Sequence, residues 1–251
     1  MNARRAFTLT EMLVVIAIIG ILAALIVAEV NVAKAKARHT VCLNNLRQIN
    51  AAILVYADDL NDATPASSAP GTSTNHAPLY ADYKELVKGY VGLKGASSPR
   101  DTLFACPADR FFPSFVLATN TSFAWIRESL HGNPVLDYSS YAFNGGDNKV
   151  RTFALTNHFS LPGLAGVKLS SVKHPARTAL VMEASALVPW SWHHPSKELV
   201  FNNAKNMMSF VDGHVTDTKI YWDSKRLPDG GLSFSMSYNP PAGYDYQWSG
   251  D

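Results

Sequence analysis

Apolar and polar positions follow three rhythms along the chain, and each predicts a different kind of element. The first is an unbroken run: Met12 to Ala28 is seventeen residues without a charge. At about 1.5 Å rise per residue, a helix over this run is roughly 25 Å long. One over Phe7 to Ala28 is roughly 33 Å, close to a bilayer's hydrocarbon thickness. The segment predicts one membrane-spanning helix. The second rhythm follows Glu29, where Val30, Ala33, Ala37, Val41, Leu46, Ile49, Ile53, Tyr56 and Leu60 recur at steps of mostly three and four. That is one apolar stripe of an α-helix, with Lys34, Lys36, Arg38, Asn44, Asn45, Arg47 and Gln48 on the other side. No Gly or Pro interrupts residues 21 to 62. A single helix from about Thr8 to about Ala57, roughly 75 Å long, is therefore expected. A membrane helix followed by a separate soluble helix is the alternative.

Asp58-Asp59-Leu60-Asn61-Asp62 predicts the helix end, because carboxylates are poorly placed at a helix C-terminus and Asn and Asp compete for backbone bonds. Pro65 reinforces the stop. Ala63 to Pro78 reads as a loop, and Asp82 to Val91, with Tyr83, Leu86, Val87, Tyr90 and Val91 at helical spacing, predicts a short second helix. The third rhythm is a set of short runs that predict strands: Ser114 to Ala118, Phe123 to Ile126, Tyr138 to Phe143, Thr178 to Met182, Met207 to Val211 and His214 to Tyr221. Asp212-Gly213 between the last two predicts a two-residue hairpin turn with positive φ at both central residues. The expected fold is α+β. One long N-terminal helix, transmembrane over 7–28 and amphipathic over 29–61, packs on an antiparallel sheet in a head formed by residues 62–251.

Composition narrows the functions. Of 251 residues 47% are apolar and 17% charged, which excludes a disordered chain, and two cysteines cannot form a dense disulfide scaffold. With 22 basic against 20 acidic residues and no run of like charge, no nucleic-acid partner is expected. No Gly-x-Ser-x-Gly, Walker loop or dinucleotide fingerprint is present, so no enzyme and no cofactor are expected. Asp212, His214 and Asp217 cluster along the predicted hairpin, and His193 and His194 lie near Trp190 and Trp192. No metal spacing joins them, and Asp212 is explained by its turn; metal binding at Asp212, His214 and Asp217 is the minor reading. Asp58, Asp59 and Asp62 lack the calcium-loop spacing and read as a solvated helix end. The tail Tyr238 to Trp248 is aromatic and flexible-looking, suited either to a glycan or partner or to covering a sheet edge.

The N-terminus offers three readings. Ile26-Val27-Ala28 could end a secretory signal peptide, which would start the mature chain at Glu29. A plain anchor explains the length but gives no reason for an acid at Glu11, where the apolar segment begins. The third reading comes from the residues themselves. Ala6-Phe7-Thr8-Leu9-Thr10-Glu11 and the apolar run to Ala24 closely resemble the class III signal of type IV prepilins and type II secretion pseudopilins. The resemblance implies a leader of residues 1–6, cleavage between Ala6 and Phe7 by a prepilin peptidase, and N-methylation of Phe7. It also implies that Glu11 is an assembly residue, its carboxylate set against the new α-ammonium of a neighbouring subunit's Phe7. In low dielectric such a pair is far less costly than a lone carboxylate, which fixes the register between subunits. Ala6 stands where the family usually has Gly, and Thr10 where it usually has Ile or Val. Basic residues flank the span on both sides, so their count does not orient it. The resemblance implies a cytoplasmic N-terminus and a periplasmic head on an inner-membrane anchor.

A second resemblance runs through the head. Cys42-Leu43-Asn44-Asn45-Leu46-Arg47-Gln48, Cys106-Pro107-Ala108-Asp109, Ser140-Tyr141-Ala142-Phe143-Asn144-Gly145 and Phe210-Val211-Asp212-Gly213-His214-Val215 resemble a pseudopilin-like family common in planctomycetes and verrucomicrobia. Its signature is His, nine residues, then Asp-Gly; here Asn202 stands at the His position. Outside the cytoplasm, Cys42 and Cys106 are most simply a disulfide, with two buried free thiols as the alternative. The expected function is a filament-forming pseudopilin of a type II secretion system. Its partners are other pilin or pseudopilin subunits, the prepilin peptidase, an inner-membrane assembly platform and the lipid bilayer. The alternatives are a type IV pilus subunit at the cell surface and a single-pass envelope protein with a ligand-binding or enzymatic head.

Overall fold

The computed structural model describes residues 8–66, 78–109, 130–132, 137–145, 163–187, 190–194, 203–226, 228, 232–235 and 239–251. One helix, α1 (Leu9–Asp59, 51 residues), runs without a break through both the apolar run and the amphipathic stretch, about 77 Å in all. The described side chains from Thr8 to Ala37 are exposed; the head covers only the later turns. There Cys42, Leu46, Ile49 and Ile53, at steps of four, three and four, are fully buried. The expected stripe is thus corrected in its first half. Val30 and Val41 are exposed, as are Ala33 and Ala37, because the head does not reach the first and Val41 sits one residue off the buried line.

The end of α1 does more than meet solvent. Asn61 and Asp62 take left-handed backbone angles, with φ of 55° and 68°, and the Asp62 N–H closes on the Ala57 carbonyl at 2.8 Å. The Asp62 carboxylate accepts from the Ser170 N–H at 2.9 Å, and its carbonyl from the Leu169 N–H at 2.9 Å. The Ser170 side chain and N–H, with a smaller pull from Lys168, hold the Asp62 carboxyl below its usual pKa. A residue read as a solvated end instead ties the shaft to the head.

The second helix, α2 (Pro78–Val87), continues into a 3₁₀ turn over Lys88–Val91. Its buried face is the expected one only in part. Tyr83, Lys84, Val87 and Lys88 are buried, whereas Leu86 and Tyr90 are exposed. Lys84 lies fully buried with its ammonium 2.8 Å from the Asp101 carboxylate. It also donates to the carbonyls of Asp137 and Tyr138 at 3.0 and 3.4 Å and lies over the Phe104 ring.

Four strands form one antiparallel sheet in chain order: β1 (Tyr141–Phe143), β2 (Ala179–Glu183), β3 (Ala204–Phe210) and β4 (Val215–Ile220). The expected strands over 114–118 and 123–126 lie outside the described residues. Alternation splits the sheet between two cores. Tyr141, Phe143, Val181 and Met207 face α1 and α2; Ala142, Met182, Met208 and Phe210 face the other side. A bulge in β2 between Ala179 and Val181 is filled by Ser209, whose hydroxyl accepts from the Val181 N–H and donates to its carbonyl. The aromatic tail covers the second face. Tyr246 and Trp248 are buried there with Trp222 and Ile220, and Asn144 Nδ2 donates to the Trp248 and Ala179 carbonyls at 2.8 Å each. Strands β5 (Asp223–Arg226) and β6 (Leu232–Ser235) form a separate hairpin that the strand pattern did not predict.

The β3–β4 turn also differs in detail from expectation. The Gly213 N–H bonds the Phe210 carbonyl and the Phe210 N–H bonds the His214 carbonyl, so the loop has three residues, Val211-Asp212-Gly213. Only Gly213 has positive φ, +92°. This is a tight turn closed by a glycine bulge, in which Asp212 keeps ordinary angles.

One turn residue carries a pH prediction. Asp137 has φ 55°, a buried Oδ2 without a hydrogen bond among the described residues, and a carboxyl pushed up to about 6 by burial. Ser97, Lys84 and Lys88 draw it back only in part, and Glu85 adds to the rise. The folded chain therefore holds this proton longer than the unfolded one, and stability falls as pH rises from the ordinary carboxylate range to about 6. Asp137→Asn, which keeps a residue tolerant of positive φ, is expected to be more stable than the parent at pH 7. Because the group is part-exposed, the gain is on the order of 1 kcal/mol after solvent screening. The two should unfold alike below about pH 4 in thermal melts.

Candidate functional site

The N-terminal tip is built by a reciprocal cap. Thr8 has extended backbone angles and caps α1: the Glu11 N–H donates to its hydroxyl at 3.3 Å, and the Glu11 carboxylate accepts from the Thr8 N–H at 2.8 Å and hydroxyl at 2.7 Å. The Thr-x-x-Glu spacing before an apolar run is a capping signature that reading for charge alone missed. Glu11 is the acid of the first turn, where the helix dipole favours a negative charge. Ala6 and Phe7, the expected cleavage residues, lie outside the described residues. Beyond Glu11, α1 is long and apolar enough to cross a membrane.

A second constellation sits where the shaft meets the head. Cys42 of α1 and Cys106 are joined in a disulfide across 64 residues, with Cα atoms 5.3 Å apart. Closing a loop of that length contributes about 2–4 kcal/mol, chiefly by restricting the unfolded chain. Asn45, one turn on, donates to the Ala105 carbonyl at 3.2 Å and the Tyr141 hydroxyl at 3.3 Å; Asn50 donates to the Phe210 carbonyl at 2.8 Å. Asp109 accepts from the Ser140 hydroxyl at 2.8 Å, and burial raises its carboxyl. The Cys106, Ser140 and Phe210 segments thus each attach to α1, the first two also to each other, as struts of the shaft–head joint.

Buried polar chemistry collects beside the disulfide. Glu183, at the end of β2, is fully buried and pairs with His193 Nε2 at 3.0 Å. Its other oxygen accepts from the Met207 N–H at 3.1 Å. Cys106 Sγ lies 3.5 Å from His193 Nε2 and 3.7 Å from Glu183 Oε1. These four side chains could serve as metal ligands by type, but the two sulfurs are bonded to each other. Glu183 had a sequence signal: it is an acid at the end of an otherwise apolar strand, Ala179 to Met182.

The minor metal reading at Asp212, His214 and Asp217 does not come together. Asp212 Oδ1 pairs with His214 Nδ1 at 2.6 Å, and His214 stacks on Phe210 with ring centroids 4.3 Å apart. Asp217 lies three residues further along, so it points to the opposite face of the sheet. There it meets His39 of α1 at 2.9 Å and His194 at 3.8 Å.

Residues 1–27 match the family model of the prokaryotic N-terminal methylation motif. The match spans the cap residues Thr8 and Glu11, the expected cut between Ala6 and Phe7, and the apolar run as far as Val27. No curated protein and no solved structure matches the chain.

Proposed function

We propose that this chain, which carries a prepilin-type signal, is type IV pilin-like or pseudopilin-like and is anchored in a membrane, serves as a filament subunit of a type II secretion system. Such a signal implies processing by the prepilin peptidase and assembly with other pilins. The observation that carries the reading is the bare shaft. The signal heads a 51-residue helix whose first half is apolar and clear of the head. A surface of that size in water is unstable; lipid covers it before assembly and the shafts of neighbouring subunits cover it afterwards. In this reading the head is periplasmic, has no catalytic role and forms the filament's outer surface. The type II assignment leans on the likeness of the Cys42, Cys106, Ser140 and Phe210 segments to a pseudopilin-like family. A type IV pilus subunit is the second reading.

Mass spectrometry of the mature chain tests the class. N-methylated Phe7 at the terminus is expected; an intact Met1 or a start at Glu29 would overturn the proposal. Deletion of the gene then separates the two machines. Loss of export of folded proteins with surface pili intact supports the secretion role, and loss of pili with export intact moves the chain to the pilus.

A further inference from the structure

Three side chains from three distant parts of the chain converge beside the disulfide. His39 is on α1, one turn before Cys42; His194 follows His193; Asp217 is on β4, the last strand of the sheet among the described residues. A single carboxylate oxygen, Asp217 Oδ2, faces both imidazoles, with His39 Nε2 at 2.9 Å and His194 Nε2 at 3.8 Å. All three donor atoms lie within 4.8 Å of one another. We propose that His39, His194 and Asp217 form a zinc site that clamps the helical shaft to the sheet.

Geometry and donor chemistry support it. Zinc holds nitrogen and carboxylate oxygen at about 2.0–2.2 Å in a tetrahedron, which places neighbouring donors about 3.3–3.6 Å apart. The observed 2.9 and 3.8 Å bracket that spacing, so an ion enters by parting the closer pair and drawing in His194. Two imidazoles and one carboxylate suit zinc, whereas calcium and magnesium favour all-oxygen shells. The three side chains are 28%, 45% and 30% exposed, so a water has access to the fourth position.

The ligands also stand on fixed supports. Asp217 pairs with Met207 in the β3–β4 ladder. The His39 ring packs edge-on against His193, with centroids 5.1 Å apart, and His193 is held by buried Glu183. The backbone N–H of His194 donates to the Ser191 hydroxyl at 3.0 Å. Preorganisation of this kind is what separates a binding site from a chance meeting of surface groups. The inference does not depend on the filament reading: it concerns a joint within one chain.

The test uses the full-length chain in detergent, with its disulfide intact and metal stripped by a chelator. Titration calorimetry with zinc chloride is expected to show one ion per chain and a raised unfolding temperature, with no matching response to calcium chloride. His194→Ala and Asp217→Asn, both on part-exposed side chains, should each weaken zinc binding at least about tenfold while the circular dichroism stays unchanged. His214→Ala, which lies outside the cluster, should bind zinc like the parent. Cobalt in place of zinc should give a tetrahedral spectrum without a sulfur charge-transfer band. Parental affinity in His194→Ala and Asp217→Asn, a sulfur band, or calcium binding as tightly as zinc would each defeat the assignment.

Discussion

Glu11→Ala is expected to enter the membrane as well as the parent chain and to be lost from filaments. The carboxylate sits at the mouth of an apolar helix, so its removal makes insertion easier. In the assembled state it is proposed to face the α-ammonium of a neighbour's Phe7. Removing one partner of a desolvated pair costs about 3–5 kcal/mol, which reads as a drop in incorporation of more than about a hundredfold. Membrane fractionation and sheared-filament yields measure the two quantities separately. The cap geometry supplies a control, because Glu11 has a partner within its own chain, Thr8. Glu11→Gln can still reach back to Thr8 but lacks the charge, and Thr8→Ala loses the cap hydroxyl but keeps the charge. If pairing between subunits is the residue's work, Gln fails like Ala. Thr8→Ala then assembles, at a cost of about 1 kcal/mol in helix-start stability. Incorporation of the Gln variant at the parental level would assign Glu11 to capping alone.

The largest loss of head stability is expected at Lys84. Its ammonium is fully buried and holds the Asp101 carboxylate and two carbonyls together, joining α2 to the segments before β1. Lys84→Met preserves the stem's volume but leaves Asp101 uncompensated, a loss of about 3–5 kcal/mol in chemical denaturation. Burial pushes the Asp101 carboxyl up, yet the bonds from Lys84 and the Ser98 N–H outweigh it and hold the group below its usual value. That depressed value adds stability above the ordinary carboxylate range, and the addition is lost as pH falls through the folded value. The Lys84→Met deficit should therefore narrow in acid. Adding Asp101→Asn, which can still accept the Ser98 N–H, should recover most of the loss. A single variant as stable as the parent would show that the joint does not rely on this pair.

Reading and structure diverge where side chains leave their statistical roles. On α2, helical spacing predicted Leu86 and Tyr90 inside; the structure exposes both and buries Lys84, because a lysine stem packs like a hydrocarbon once its ammonium finds acceptors. Those acceptors come from residues 101, 137 and 138, none of them in the same helix, and no local pattern reports them. The Asp212-Gly213 signal marked the right hairpin but the wrong loop length, since Phe210 and His214 close the ladder around three residues rather than two. Aromatic density in the tail could not separate partner binding from packing; the structure buries Tyr246 and Trp248 against the sheet.

Sequence alone determined what is local or periodic. Met12 to Ala28 had to be apolar and helical, the stretch after Glu29 had to continue as an amphipathic helix in the absence of any breaker, and the Phe7 to Glu11 signal is read from adjacent residues. Such features depend on near neighbours and on the 3.6-residue repeat, so they are written along the chain. Only the tertiary structure decided which turns of α1 the head covers, that Lys84 and Glu183 are buried with partners, and that His39, His194 and Asp217 share one corner. Those pairings span 10 to 178 positions, and their energies depend on burial and on distances of a few ångströms, which exist only once the chain has folded.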